Sequence, residues 1–90
     1  MSLLEGAQLA LSRGDASQAL ALLDRHESDF ARGTLVEERQ AARVLALCAA
    51  GRRLEARAGA ARFLEASPQS PLAPRVAAAC TTGSEHFGSR

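Results

Sequence analysis

Residues 34–64, TLVEERQAARVLALCAAGRRLEARAGAARFL, decide the fold, because they read as two helices joined at Gly51. Thr34 followed by Glu37 makes a capping box, in which hydroxyl and carboxylate each satisfy a backbone N–H left open at a helix start. The first helix is predicted to run to Ala50, since Gly51 is the residue type that accepts the left-handed conformation just past a helix end. Its first half, with Glu37, Glu38, Arg39, Gln40 and Arg43, is expected to meet water. Its second half, Val44 to Ala50, is apolar all round and is expected to be flanked on both sides.

Beyond Gly51, Leu54, Ala58, Ala61 and Glu65 fall on one row and Ala56, Ala60, Phe63 and Leu64 on the next, a spacing that predicts an apolar stripe. Gly59 interrupts this helix at a cost of about 1 kcal/mol against alanine. It predicts close approach of a neighbouring helix in preference to a gap for a ligand. Arg52 and Arg53 stand at the unfavourable end of the helix dipole and read as a solvated pair.

A similar hairpin precedes the centre and a single helix follows it. Ser2 and Glu5 form another capping box, opening a helix that buries Leu3, Leu4, Ala7, Ala10 and Leu11 and closes at Arg13 and Gly14. Asp15 caps the next helix, with Gln18 as its reciprocal partner and Ala19, Leu20, Leu22, Leu23 and Phe30 on the apolar side. After Ser67 and Pro68 stop the fourth helix, Ser70 as cap and Pro71 at the first helical position start a fifth. Leu72, Val76, Ala79 and Cys80 supply its apolar face. The boundaries are hairpin 1 over 2–30, hairpin 2 over 34–66 and a terminal helix over 70–81, all in one domain, 1–82, followed by a tail, 83–90.

Twenty of the 90 residues are alanine and only three are phenylalanine, so the core must be thin and the helices closely packed. The fold class is therefore all-α. Isoleucine and lysine are absent and every basic residue is arginine, which reads as the imprint of a GC-rich, bacterial genome. A net charge of +1, with arginines and acids interleaved and no tyrosine or tryptophan to stack bases, argues against nucleic acid. Nothing approaches the ~20 apolar residues of a membrane span. The opening MSLLEGAQLAL has no basic n-region and does not read as a secretory signal. No glycine loop follows a strand, no serine stands in register with a histidine and an acid, and His26 and His86 lack metal spacing. No enzyme, no cofactor and no metal is expected. His26 reads as a helix-end cation or a packing residue.

Gly14 and Gly51 close equivalent helices 37 residues apart, and the same shift lays Ala19 on Ala56, Arg25 on Arg62 and Leu35 on Leu72. A short-period helical hairpin repeat follows. On Ala7, Gly14 and Ala19 in the first unit and Gly51, Ala56 and Pro68 in the second, the chain resembles the tetratricopeptide repeat. The family's large positions are held here by Leu3, Ala10 and Leu23, then by Gln40, Leu47 and Ala60, and its terminal proline by Ala31, occupants that also suit other α-hairpin solenoids. The spacers, Ala31 to Leu35 and Pro68 to Leu72, look like the variant in bacterial envelope and regulatory proteins.

The resemblance implies a right-handed α-α superhelix of two and a half repeats, five helices, serving as a protein-protein interaction module or adaptor within a larger bacterial protein. First helices would line a concave groove for a peptide or helix, placing Leu4, Gln8, Leu11 and Ser12, then Glu38, Ala41, Leu45 and Cys48, then Arg75 and Ala78 on the groove side. The alternative is a homodimer or structural module paired through the exposed flank of the terminal helix. Cys48 and Cys80 lie on neighbouring first helices, offset by five residues, about 7.5 Å of rise. A bridge needs Cα atoms within about 7 Å. Two buried free thiols are the preferred reading, with a disulfide as the alternative. A disulfide would place the chain in the periplasm, and thiols would leave the cytoplasm open.

Overall fold

The computed structural model describes residues 2–30, 32–33 and 35–80. Five helices follow one another: α1 (Leu3–Ser12), α2 (Ala16–Asp29), α3 (Val36–Ala49), α4 (Arg53–Ala66) and α5 (Ala73–Ala77). Among the described residues there is no strand, and the fold is all-α. The expected Thr34 cap lies outside the described residues, as do 81–90; among the described residues α3 begins behind Leu35, whose side chain makes no cap bond.

Both hairpins turn on the same device. Gly14 and Gly51 each take φ +80°. At the first, the Gly14 N–H reaches the Leu11 carbonyl at 3.0 Å and the Asp15 N–H the Ala10 carbonyl at 2.8 Å. At the second, Gly51 reaches Cys48 at 3.1 Å and Arg52 reaches Leu47 at 2.9 Å. These are paired Schellman closures, which satisfy helix-end carbonyls through a left-handed glycine. The 37-residue period extends to the outer ends, where Phe30 (φ −135°, ψ 57°) and Ser67 (φ −137°, ψ 59°) finish α2 and α4 in the same conformation.

At α1 the capping box forms as expected, with the Ser2 N–H on Glu5 Oε1 at 2.9 Å and the Glu5 N–H on Ser2 Oγ at 3.1 Å. Asp15 accepts from the Gln18 N–H at 3.1 Å. The reciprocal half is replaced, because the Asp15 N–H is already committed to Ala10. At α4 the equivalent pair is Arg52 and Glu55, a two-pronged ion pair with Nη2 to Oε2 at 2.8 Å, so Arg52 is not simply solvated.

Helix α3 organises the rest, since it touches each of the other four. Ala42 and Ala46 join Leu4, Ala7, Ala10, Ala19 and Leu23 in one core; Ala41, Val44 and Leu47 join Ala56, Phe63, Ala73 and Val76 in another. The expected two-sided burial of its apolar half therefore holds for Val44, Ala46 and Leu47, while Leu45 and Cys48 are half-buried and Ala49 and Ala50 exposed. Its first half corrects the sequence reading: Arg39 is only 5% exposed, because that face meets the end of α2.

Helix α4 divides its two rows sharply. Ala56 and Phe63 are buried, but Ala58 and Ala61 are exposed and Leu54 is 82% exposed, so the outer row is solvent-facing and not core. A Cβ placed on Gly59 would stand 3.4 Å from Val44 Cγ2, which shows the close approach of α3. Phe30, expected on the apolar side of α2, is 56% exposed, although its ring stands 5.2 Å from that of His26.

The terminal helix is much shorter than the expected 70–81. Ser70 Oγ accepts from the Leu72 N–H at 3.1 Å and the Ser70 carbonyl from the Ala73 N–H at 3.0 Å, so Pro71 and Leu72 form a turn before the helix begins. It ends at Ala77, and the Ala79 N–H then reaches the Val76 carbonyl at 3.2 Å in a tighter turn.

Candidate partner-binding cleft

Because the period is 37, α1, α3 and the Leu72–Ala77 segment present equivalent positions side by side, Gln8 with Leu45 and Glu38 with Arg75. They enclose a cleft of about 470 Å³. Of the ten residues expected there, seven, Gln8, Leu11, Ser12, Glu38, Ala41, Leu45 and Arg75, line it. Leu4 does not; it is buried in the hairpin 1 core against α2. Ala42, Ala49 and Leu72 also line the cleft and were missed. Residues 38, 41, 42, 45 and 49 are one helical row, so Ala42 and Ala49 were legible from spacing. Leu72 was not, because it belongs to the turn that precedes α5.

The floor is apolar and the rim polar. Glu38 is half-buried and Arg75 exposed, and neither has an ion-pair or hydrogen-bond partner among the described residues. Ser12 is less available, since its hydroxyl donates to the Leu9 carbonyl at 2.8 Å. Ala78 is exposed outside the cleft, and Cys48 sits in a smaller adjoining pocket of about 300 Å³ that shares Leu45 and Ala49.

In that pocket Cys48 and Cys80 are joined as a disulfide, with Cα atoms 5.4 Å apart. This corrects the preference for free thiols. Stagger between α3 and the turn after α5 removes the offset that equal helix registers would impose.

A buried polar pair lies across the molecule. His26, 4% exposed, turns Nδ1 toward Arg39 Nη1 at 3.3 Å, and Nη1 also donates to the Phe30 carbonyl at 2.9 Å. A guanidinium only donates, so His26 Nδ1 is the acceptor here. His26 is thus a packing residue that ties α2 to α3. The signal for Arg39 was present in the repeat: a shift of 37 lays it on Val76, a core position.

Among the described residues no group of three or more His, Cys, Asp or Glu is placed to hold a metal ion. Among them, too, no helix is long and apolar enough to cross a membrane. Among the described residues the exposed large apolar side chains are Leu9, Phe30, Leu35 and Leu54, none of them on α5. Compared with family models, with characterised proteins and with solved structures, the chain finds no match.

Proposed function

We propose that the chain is a tetratricopeptide-like interaction module that holds an extended peptide or a helix in the α1–α3–α5 cleft, as part of a larger bacterial protein. The convergence of seven separately expected residues on one cleft supports this reading most strongly. The chemistry fits a peptide: an apolar floor of Leu11, Ala41 and Leu45 supplies affinity, while Gln8 and the unpaired Glu38 and Arg75 set orientation and register. The role we read is non-catalytic, since an apolar floor with a polar rim is the lining that binding alone requires. The paired cysteines fit an oxidising compartment such as the periplasm.

The test is to pan the oxidised full chain against a random peptide library and titrate the selected peptide. Leu45→Arg and Leu11→Arg, with helicity unchanged by circular dichroism, should weaken binding about tenfold or more. Leu54→Arg, on the outer row of α4, should leave it intact. A peptide held equally by wild type and both cleft variants would defeat the reading.

A further inference from the structure

The 72–77 segment supplies one wall of the cleft through Leu72 and Arg75, yet beyond its small apolar side chains little holds it there. The five residues of α5 are far below the length at which a helix supports itself in water. Two of its small side chains, Ala73 and Val76, are buried in the core of Phe63, with half-buried Leu72 and Ala79 packed against it from the flanking turns. Among the described residues, no side-chain hydrogen bond or ion pair joins Ala73–Ala77 to α3 or α4. Its N-cap residue, Leu72, makes no side-chain cap bond. The one strong anchor is covalent and lies three residues past the helix, where Cys80 is bonded to Cys48 of α3.

That bond is reachable. Both cysteines are half-buried and line the open pocket beside Leu45 and Arg53. A thiolate can approach a sulfur there without the unfolding of α1–α4, and access to sulfur is one condition that decides whether a disulfide exchanges. The position also matters. Cys48 lies on the central helix, and the pocket around it shares Leu45 and Ala49 with the cleft.

We propose that the Cys48–Cys80 disulfide is a redox latch on the cleft: intact, it holds the 72–80 segment as the third wall, and a dithiol reductant releases that wall while α1–α4 stay folded. In the exchange, a thiolate of the reductant attacks one cysteine sulfur and breaks the Cys48–Cys80 bond, forming a mixed disulfide. The second thiol of the reductant then displaces the protein sulfur. The protein gains two electrons and two protons as two thiols, and the reductant leaves as its disulfide. The loss of binding rests on the cleft reading above; the release of α5 does not.

The experiment is amide hydrogen exchange on the full chain, oxidised and after dithiothreitol, with Cys48→Ser/Cys80→Ser as a version that needs no reductant. Reduction should speed exchange in residues 73–77 about tenfold or more, leave α1–α4 protected, and reverse on reoxidation. The double variant should match the reduced protein. Unchanged exchange at 73–77, or loss of protection throughout the chain, overturns the latch. Titration of the panned peptide separates the two readings. Binding lost on reduction supports gating. Binding retained with α5 released overturns gating, and no peptide bound by the oxidised protein defeats the cleft reading while the exchange result still decides whether the latch exists.

Discussion

The seam between α2 and α3 and the seam between α4 and α5 stand at equivalent places 37 residues apart, and α2 and α4 end in the same conformation at Phe30 and Ser67, but the two seams are built from opposite chemistry. At the first, His26 and Arg39 meet as a buried polar pair, and Arg43 reaches Asp24 at 2.8 Å and Glu27 at 3.1 Å. At the second, the equivalent positions are Phe63 and Val76, packed together in an apolar core, with the disulfide beside them. Backbone geometry here is set by glycine turns and small-residue packing, which both units share. What fills each seam is then free to vary, and it decides how the seam can be broken: by removal of a hydrogen-bond partner at one, by a cavity or a reductant at the other.

The largest expected effect is at the apolar seam. Phe63 is 2% exposed, and Phe63→Ala should cost about 3–5 kcal/mol because α4 and α5 cannot collapse around the void. Urea unfolding followed by circular dichroism reads it. At the polar seam, Arg39→Val should cost about 1–3 kcal/mol, since it strands the buried His26 Nδ1. The sharper test is the double variant His26→Phe/Arg39→Val, which copies the second seam into the first. It should recover a large part of the loss, as buried polar pairs often yield to packed apolar ones, the remainder being the hydrogen bond that Arg39 gives the Phe30 carbonyl. If the double variant is no better than Arg39→Val alone, the two seams are not interchangeable.

The same comparison shows what was legible in the sequence. Caps, glycine turns and period depend on neighbours within a few residues, so Ser2, Asp15, Gly14 and Gly51 announced the hairpins, and helical spacing announced most of the cleft. Arg39 was misread because its charge outweighed its repeat register, and its partner His26 lies in another helix. Leu54 fits an apolar row, but only the number of neighbouring layers tells a helix which rows it must bury. The cysteine pairing depended on stagger between helices, which spacing along one chain does not contain.

A smaller effect separates buried from exposed polar groups in the first seam. The Arg43 side chain is about one-quarter exposed, and Asp24 and Glu27 are largely solvated. Arg43→Ala should therefore cost about 0.5–1 kcal/mol and less in high salt, whereas the loss at Arg39 should not respond to salt. Thermal unfolding at low and high sodium chloride distinguishes them.

The smallest effect concerns how each unit holds its helix starts. Hairpin 1 uses carboxylates, and at α1 the Glu5 carboxyl lies below its ordinary value of 4.5, chiefly because the Ser2 backbone N–H donates to it and secondly through the Ser2 hydroxyl. A carboxyl lowered in the folded state contributes stability above its unfolded value and loses it as pH falls through the lower folded one. Acidification below about 4.5 should thus fray the first turn of α1. Glu5 is solvent-exposed, so the response is fraying and not unfolding. Titration of the Glu5 side-chain carbon resonance should give a midpoint below the ordinary value. Ser2→Ala leaves the backbone donor in place, so it should move that midpoint only part of the way back. A midpoint that does not move would mean that the hydroxyl plays no part in lowering the Glu5 carboxyl, leaving its cap bond from the Glu5 N–H as its whole contribution to the helix start.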